Sequence, residues 1–88
     1  MLPGHKMLRG ARSVLGWSQP ELARRAQISL PTVTRAEAGK DTRRGTIEAI
    51  VRSLQEGGIQ FLPATDLEGE GIRIRPDQNP SSSSGKVS

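Results

Sequence analysis

The side chains capable of covalent or metal chemistry are few and stand apart. Among 88 residues there is no cysteine and one histidine, His5, which excludes a disulfide, a thiolate metal site and a zinc site built on histidine. No glycine-rich loop follows a strand to hold a phosphate, and no carboxylates cluster as an acid and base pair. The sequence therefore points away from an enzyme and calls for no metal and no cofactor. What it concentrates is recognition chemistry. Hydroxyl, amide and guanidinium groups crowd the stretch SQPELARRAQISLPTVTRAEAG from Ser18 to Gly39, and the basic loop KDTRRGT follows it. Residues 1 to 62 carry ten Lys or Arg against five Asp or Glu, whereas residues 63 to 88 carry three against four. The positive surplus belongs to the first part, as expected of a surface that meets a nucleic acid.

Two short helices must position these groups. Ser18, Gln19, Pro20 and Glu21 form the pattern of a capping box: Ser18 accepts from the Glu21 amide, Glu21 reaches back, and Pro20 sits where no amide bond is lost. Leu22, Ala23 and Ala26 then recur at helical spacing as one buried stripe, with Arg24 and Arg25 outward. Ser29 repeats the device ahead of Leu30 and Pro31, Val33 and Ala36 turn inward, and Gly39 closes the second helix as a left-handed cap. Only Gln27 and Ile28 lie between. The spacing predicts two helices crossing steeply over a small core of Leu22, Ala26, Ile28, Val33 and Ala36. A pair set at about 90 to 120° by a three- or four-residue turn is the DNA-reading helix-turn-helix arrangement.

Other elements flank this pair. A first helix runs from His5 or Lys6 to Leu15, with Met7, Leu8, Ala11, Val14 and Leu15 facing the core and Gly16 as its stop. Residues 1 to 4 read as frayed, and His5 as a solvated residue at the helix start. Trp17, just before the Ser18 cap, reads as a hydrophobic staple against Leu22 that packs the first two helices. Thr42 caps a fourth helix reaching about Gln55, with Ile47, Ile50, Val51 and Leu54 buried and Gly57 and Gly58 ending it. The period then changes. Ile59 to Leu62 and Gly71 to Arg75 read as the strands of a hairpin, and since two strands alone are marginal in water, Phe61, Ile72 and Ile74 must pack on the helices or pair with a second chain. From Pro76 on there is almost nothing to bury, so a disordered tail is expected. No apolar run approaches the ~20 residues that span a bilayer, and a soluble cytoplasmic protein is expected.

From about Leu8 to Leu54 the chain resembles the Xre family, the lambda-repressor-like helix-turn-helix domains of phage and bacterial regulators, through LGWSQPELARRA, ISLPTVTRAEAGK and TIEAIVRSL. The fold class is then mainly α: a compact four-helix lambda-repressor-like DNA-binding domain at 5–58, a C-terminal β-hairpin at 59–75 as candidate dimerisation element, and a tail at 76–88. Gln27 departs from the family pattern, standing where a glycine usually takes a positive φ, at a cost of about 1 kcal/mol.

The resemblance also implies a site. Gln19 would lie beside the DNA backbone, with its amide in reach of a phosphate or a base edge. Leu30, Pro31, Thr34 and Arg35 would face base edges in the major groove, with Thr32 close by. Arg35 can donate twice to guanine, Thr34 can bond or touch a thymine methyl, and Leu30 and Pro31 offer apolar contact. Lys40, Arg43 and Arg44 would clamp phosphates. Arg12 and Glu37 would form an ion pair between the first and third helices that sets the angle of the reading helix. The expected partners are a double-stranded DNA operator and a second copy of the chain. The rival is an antitoxin-type regulator whose C-terminal part binds a toxin protein while the helices repress its own operon.

Overall fold

The computed structural model describes residues 2–41, 43–65 and 69–75. The readings of Met1 as frayed, of Thr42 as a helix cap, of the middle of the hairpin loop and of residues 76–88 as a tail fall outside the described residues. Four helices are followed by two strands: α1 (His5–Leu15), α2 (Gln19–Ala26), α3 (Leu30–Glu37), α4 (Arg44–Glu56), β1 (Ile59–Leu62) and β2 (Gly71–Ile74). The mainly α class with a terminal hairpin is therefore the observed one.

Each helix in the central pair starts and stops by local chemistry. Ser18 Oγ accepts from the Glu21 amide at 3.1 Å, and Ser29 Oγ from the Thr32 amide at 3.2 Å. The reciprocal half of the expected capping box is replaced, because the Glu21 carboxylate takes its bonds from Arg24 and Arg25. Each of the four helices is followed within two residues by one of positive φ: Gly16 (75°), Gln27 (59°), Gly39 (78°) and Gly58 (113°). At α3 the Gly39 amide donates to the Ala36 carbonyl and the Lys40 amide to the Arg35 carbonyl, which satisfies acceptors the helix would otherwise leave open. Gln27 uses the same turn without glycine, its neighbour Ile28 donating to the Ala23 carbonyl at 3.1 Å.

The core is a single cluster of Leu8, Ala11, Leu22, Ala23, Val33, Ala36, Ile47, Ile50, Leu54 and Ile59. Ile28, Val51, Leu15 and Trp17 pack partly buried against it. Val14 does not join them. It is 49 % exposed, because the inward face of α1 runs through Leu8, Ala11 and Arg12, whose guanidinium is drawn inside by a partner on α3. Leu2 also corrects an expectation, since it packs on the core instead of fraying. The Gly4 carbonyl accepts from the Met7 and Leu8 amides and anchors that segment to α1.

Trp17 has more to do than staple α2. The Arg25 guanidinium lies 4.2 Å from its ring centre, and a Cβ at Gly57 would stand 2.7 Å from the ring. The indole therefore wedges the end of α1 against the end of α4, which requires glycine at 57. His5 is exposed at the start of α1, as expected, with its ring beside Gly39, 3.0 Å from where a Cβ would be.

The hairpin is antiparallel, with Ile59 opposite Ile74 and Phe61 opposite Ile72. Its apolar face packs within the chain: Ile59 is in the core, and Phe61, Ile72 and Ile74 lie against it. Arg75 fastens the far end, its amide donating to the Gly58 carbonyl at 2.7 Å and its Nη2 to the Gln55 carbonyl at 3.1 Å. A boundary drawn between 58 and 59 thus passes through the core.

Candidate nucleic-acid interface

The candidate residues fall into three places, and α3 organises the first. Val33, Ala36 and Glu37 are buried, so helical periodicity turns Leu30, Pro31, Thr34 and Arg35 to the surface. Leu30 remains 42 % exposed, a large apolar side chain in water with Pro31 beside it. Thr32 is engaged in the start of the helix, its hydroxyl 2.7 Å from that of Ser29. Arg35 is exposed and makes no ion pair among the described residues.

Behind that face runs a polar chain. Arg12 Nε donates to Glu37 Oε2 at 2.7 Å and Arg12 Nη2 to Glu37 Oε1 at 3.1 Å, so α1 and α3 are joined by a two-pronged contact. Arg12 Nη1 donates to the Trp17 carbonyl at 2.7 Å, tying in the entry to α2. Gln19 Nε2 donates to Glu37 Oε1 at 3.1 Å, and Gln19 Oε1 accepts from the Thr34 hydroxyl at 3.2 Å. Gln19 is therefore half-buried between a carboxylate and the exposed helix face. Glu37 is 2 % exposed, yet no buried polar side chain among the described residues lacks a partner. Losing any member would leave a charge or a donor stranded.

The second place is the segment after α3. Arg35, Lys40, Asp41 and Arg43 line an open cleft of about 390 Å³. Asp41, absent from the sequence-based site, organises it. Its Oδ1 accepts from the Arg43 amide at 3.2 Å, a local turn that starts α4, and its carboxylate receives Arg43 Nε at 3.1 Å and Nη2 at 2.9 Å. The Arg43 guanidinium bonds, then the Arg43 amide, hold the Asp41 carboxyl below its ordinary value, and Asp41 in turn raises Arg43. An aspartate two residues before the N-cap residue of a helix was the available signal.

Arg44 stands in the third place, on the first turn of α4, where its Nε donates to Glu48 Oε2 at 3.1 Å. On α2, Arg24 and Arg25 are both tied to Glu21, whose carboxyl is lowered by those hydrogen bonds, Arg24 first. Within this region Arg35 and Lys40 are the cations without a carboxylate partner among the described residues. No described helix is long and apolar enough to cross a membrane.

Comparison with known proteins agrees with this geometry. No curated protein matches the chain. A family model described as a helix-turn-helix domain matches residues 6–60, from the start of α1 into β1, and covers more than half of the sequence. With two capped helices locked at Glu37 and one outward face on the second of them, the chain belongs to the helix-turn-helix domain family, a DNA-binding class.

Proposed function

We propose that this chain is a sequence-specific regulator of transcription, a repressor of the Xre, lambda-repressor-like kind, that reads the major groove of double-stranded DNA with α3. The observation that carries the reading is the division of α3. One side is held by Val33, Ala36 and the Arg12–Glu37 contact, and the other presents Leu30, Pro31, Thr34 and Arg35 to the outside. Such a helix entering the groove N-terminus first would put Leu30 and Pro31 against thymine methyls and Arg35 against guanine, with Gln19 at the backbone. Lys40, Arg43 and Arg44 would meet phosphates, Arg43 and Arg44 by exchanging their contacts to Asp41 and Glu48 for phosphate oxygens.

One such domain touches few base pairs, so two copies on half-sites roughly 34 to 36 Å apart are expected. Because the hairpin's apolar face is turned onto the helices, the surface offered to a second copy is a strand edge: among the described residues β1 and β2 pair only with each other. The role is binding, in the cytoplasm, without catalysis.

The test is selection of bound sequences from random DNA, a salt titration on the enriched site and sedimentation of the free and bound protein. A two-fold-related motif whose affinity falls steeply with salt is expected. No enriched motif together with flat salt dependence would overturn the reading. A monomer both free and on DNA would remove the dimer, and binding of a different protein through residues 59–88 would favour an antitoxin-type regulator.

A further inference from the structure

Resting on the reading that α3 faces DNA, what Thr34 can offer a base depends on the polar chain behind it. A threonine hydroxyl both donates and accepts, so by itself it discriminates poorly between base edges. Here its proton has acceptors on the protein side. Thr34 Oγ1 lies 3.2 Å from Gln19 Oε1 and 3.1 Å from the Leu30 carbonyl. That Gln19 turns its oxygen toward Thr34 is decided one step deeper. The other end of the amide, Nε2, is 3.1 Å from Glu37 Oε1. A carboxylate that already receives two Arg12 donors can take an N–H but offers nothing to a carbonyl oxygen, so the reversed amide would face repulsion. The Arg12–Glu37 contact therefore orients Gln19, and Gln19 together with the Leu30 carbonyl draws the hydroxyl proton inward.

We propose that Thr34 acts in the groove as a hydrogen-bond acceptor only and selects a base bearing an exocyclic amine, adenine or cytosine, with Gln19 as the positioning residue. The hydroxyl proton is turned inward, which leaves lone pairs for the outside. Adenine N6 and cytosine N4 are the donors of the major groove, whereas guanine O6 and thymine O4 place an acceptor at the same edge and meet lone pair with lone pair. Gln19 keeps its second amide hydrogen for a phosphate oxygen, so positioning and backbone contact are compatible.

The experiment selects bound sequences from random DNA with the full chain, Thr34→Val and Gln19→Met, and records the unfolding midpoint of each. The wild-type chain should prefer A or C over G or T by about five-fold at one position per half-site, the size of a single hydrogen bond. Thr34→Val, equal in shape but without the hydroxyl, should lose that preference and keep the rest of the motif. Gln19→Met should weaken the preference at the same position, a change that a general loss of stability would not confine to one base pair. A wild-type preference for G or T there, or an intact preference in Thr34→Val, overturns the acceptor assignment. An unchanged preference in Gln19→Met overturns the positioning role. Absence of any motif with the wild-type chain overturns the DNA reading itself, and is told apart because every position, not one, is then flat.

Discussion

Two arginine–carboxylate contacts, four residues apart along the chain at their acidic ends, do opposite work. In the seam between α1 and α3 the Arg12 and Glu37 side chains are 16 % and 2 % exposed. In the segment before α4 the Asp41 side chain is nearly as covered, at 4 %, but Arg43 is 71 % exposed. The chemistry is the same and the solvent is not. At the seam both ions have left water, so every lone pair has to be used by a fixed partner, and the contact holds a geometry. At the segment the guanidinium keeps its hydration, the pair contributes little to stability, and Arg43 is free to exchange its partner for another anion. A bidentate distance alone would not tell these roles apart.

The widest gap between the two regions should appear on removing a carboxylate. Glu37→Ala is expected to lower stability by about 3 kcal/mol in urea unfolding, because Arg12 and the Gln19 amide lose their shared acceptor. Replacing Arg12 and Glu37 together with apolar residues should recover much of the loss. Additive effects would mean the seam is not coupled. The next effect is on binding: Arg35→Ala should cost about 2 kcal/mol on the best motif and relax one base position, while Arg44→Ala weakens all sequences alike. Equal losses on specific and random DNA would erase the distinction between reading face and backbone contacts.

A smaller effect is expected at the turn between α2 and α3. Gln27 holds φ at 59°, and Gln27→Gly should stabilise the chain by up to about 1 kcal/mol in thermal unfolding, since glycine enters that region without steric cost. DNA affinity should not change. Smallest in stability is Asp41→Asn, which releases Arg43. Binding to random DNA should tighten and the slope of log affinity against log salt should steepen by about one. The pH dependence has a definite sign. Asp41 is lowered by Arg43, so its contribution is present above the ordinary carboxyl value of 3.8 and is lost as pH falls through the lower folded value. Asp41→Asn should remove that part of the acid loss, seen as a flatter unfolding midpoint below about pH 4.

Where the sequence could be read, it was read through local rules. The ends of α2 and α3 follow from Ser18, Ser29, Pro20, Pro31 and Gly39, each acting on a neighbour within a few positions. The two strands follow from the change of period after Gly58 and the alternation of Ile72, Arg73, Ile74 and Arg75, while their register is a property of the folded hairpin. Reading failed where a residue answers to something distant. Val14 has the spacing of a core position, but the inward face of α1 was claimed by Arg12 for a partner 25 residues away. Asp41 is the exception, since its partner Arg43 is only two residues away and the local signal of an aspartate ahead of a helix was passed over.

What the sequence determined by itself, then, is the list of elements, the serine caps of α2 and α3 and the side of α3 that must stay outside, because periodicity and capping are matters of a few ångströms along one chain. The tertiary structure alone decided that Gln19 faces Glu37 and Thr34 at once, that Trp17 needs glycine at 57, and that the hairpin spends its apolar face on its own helices. Each of these depends on groups far apart in sequence being brought within hydrogen-bond or van der Waals reach, where burial removes water as a partner and only one arrangement satisfies every donor and acceptor.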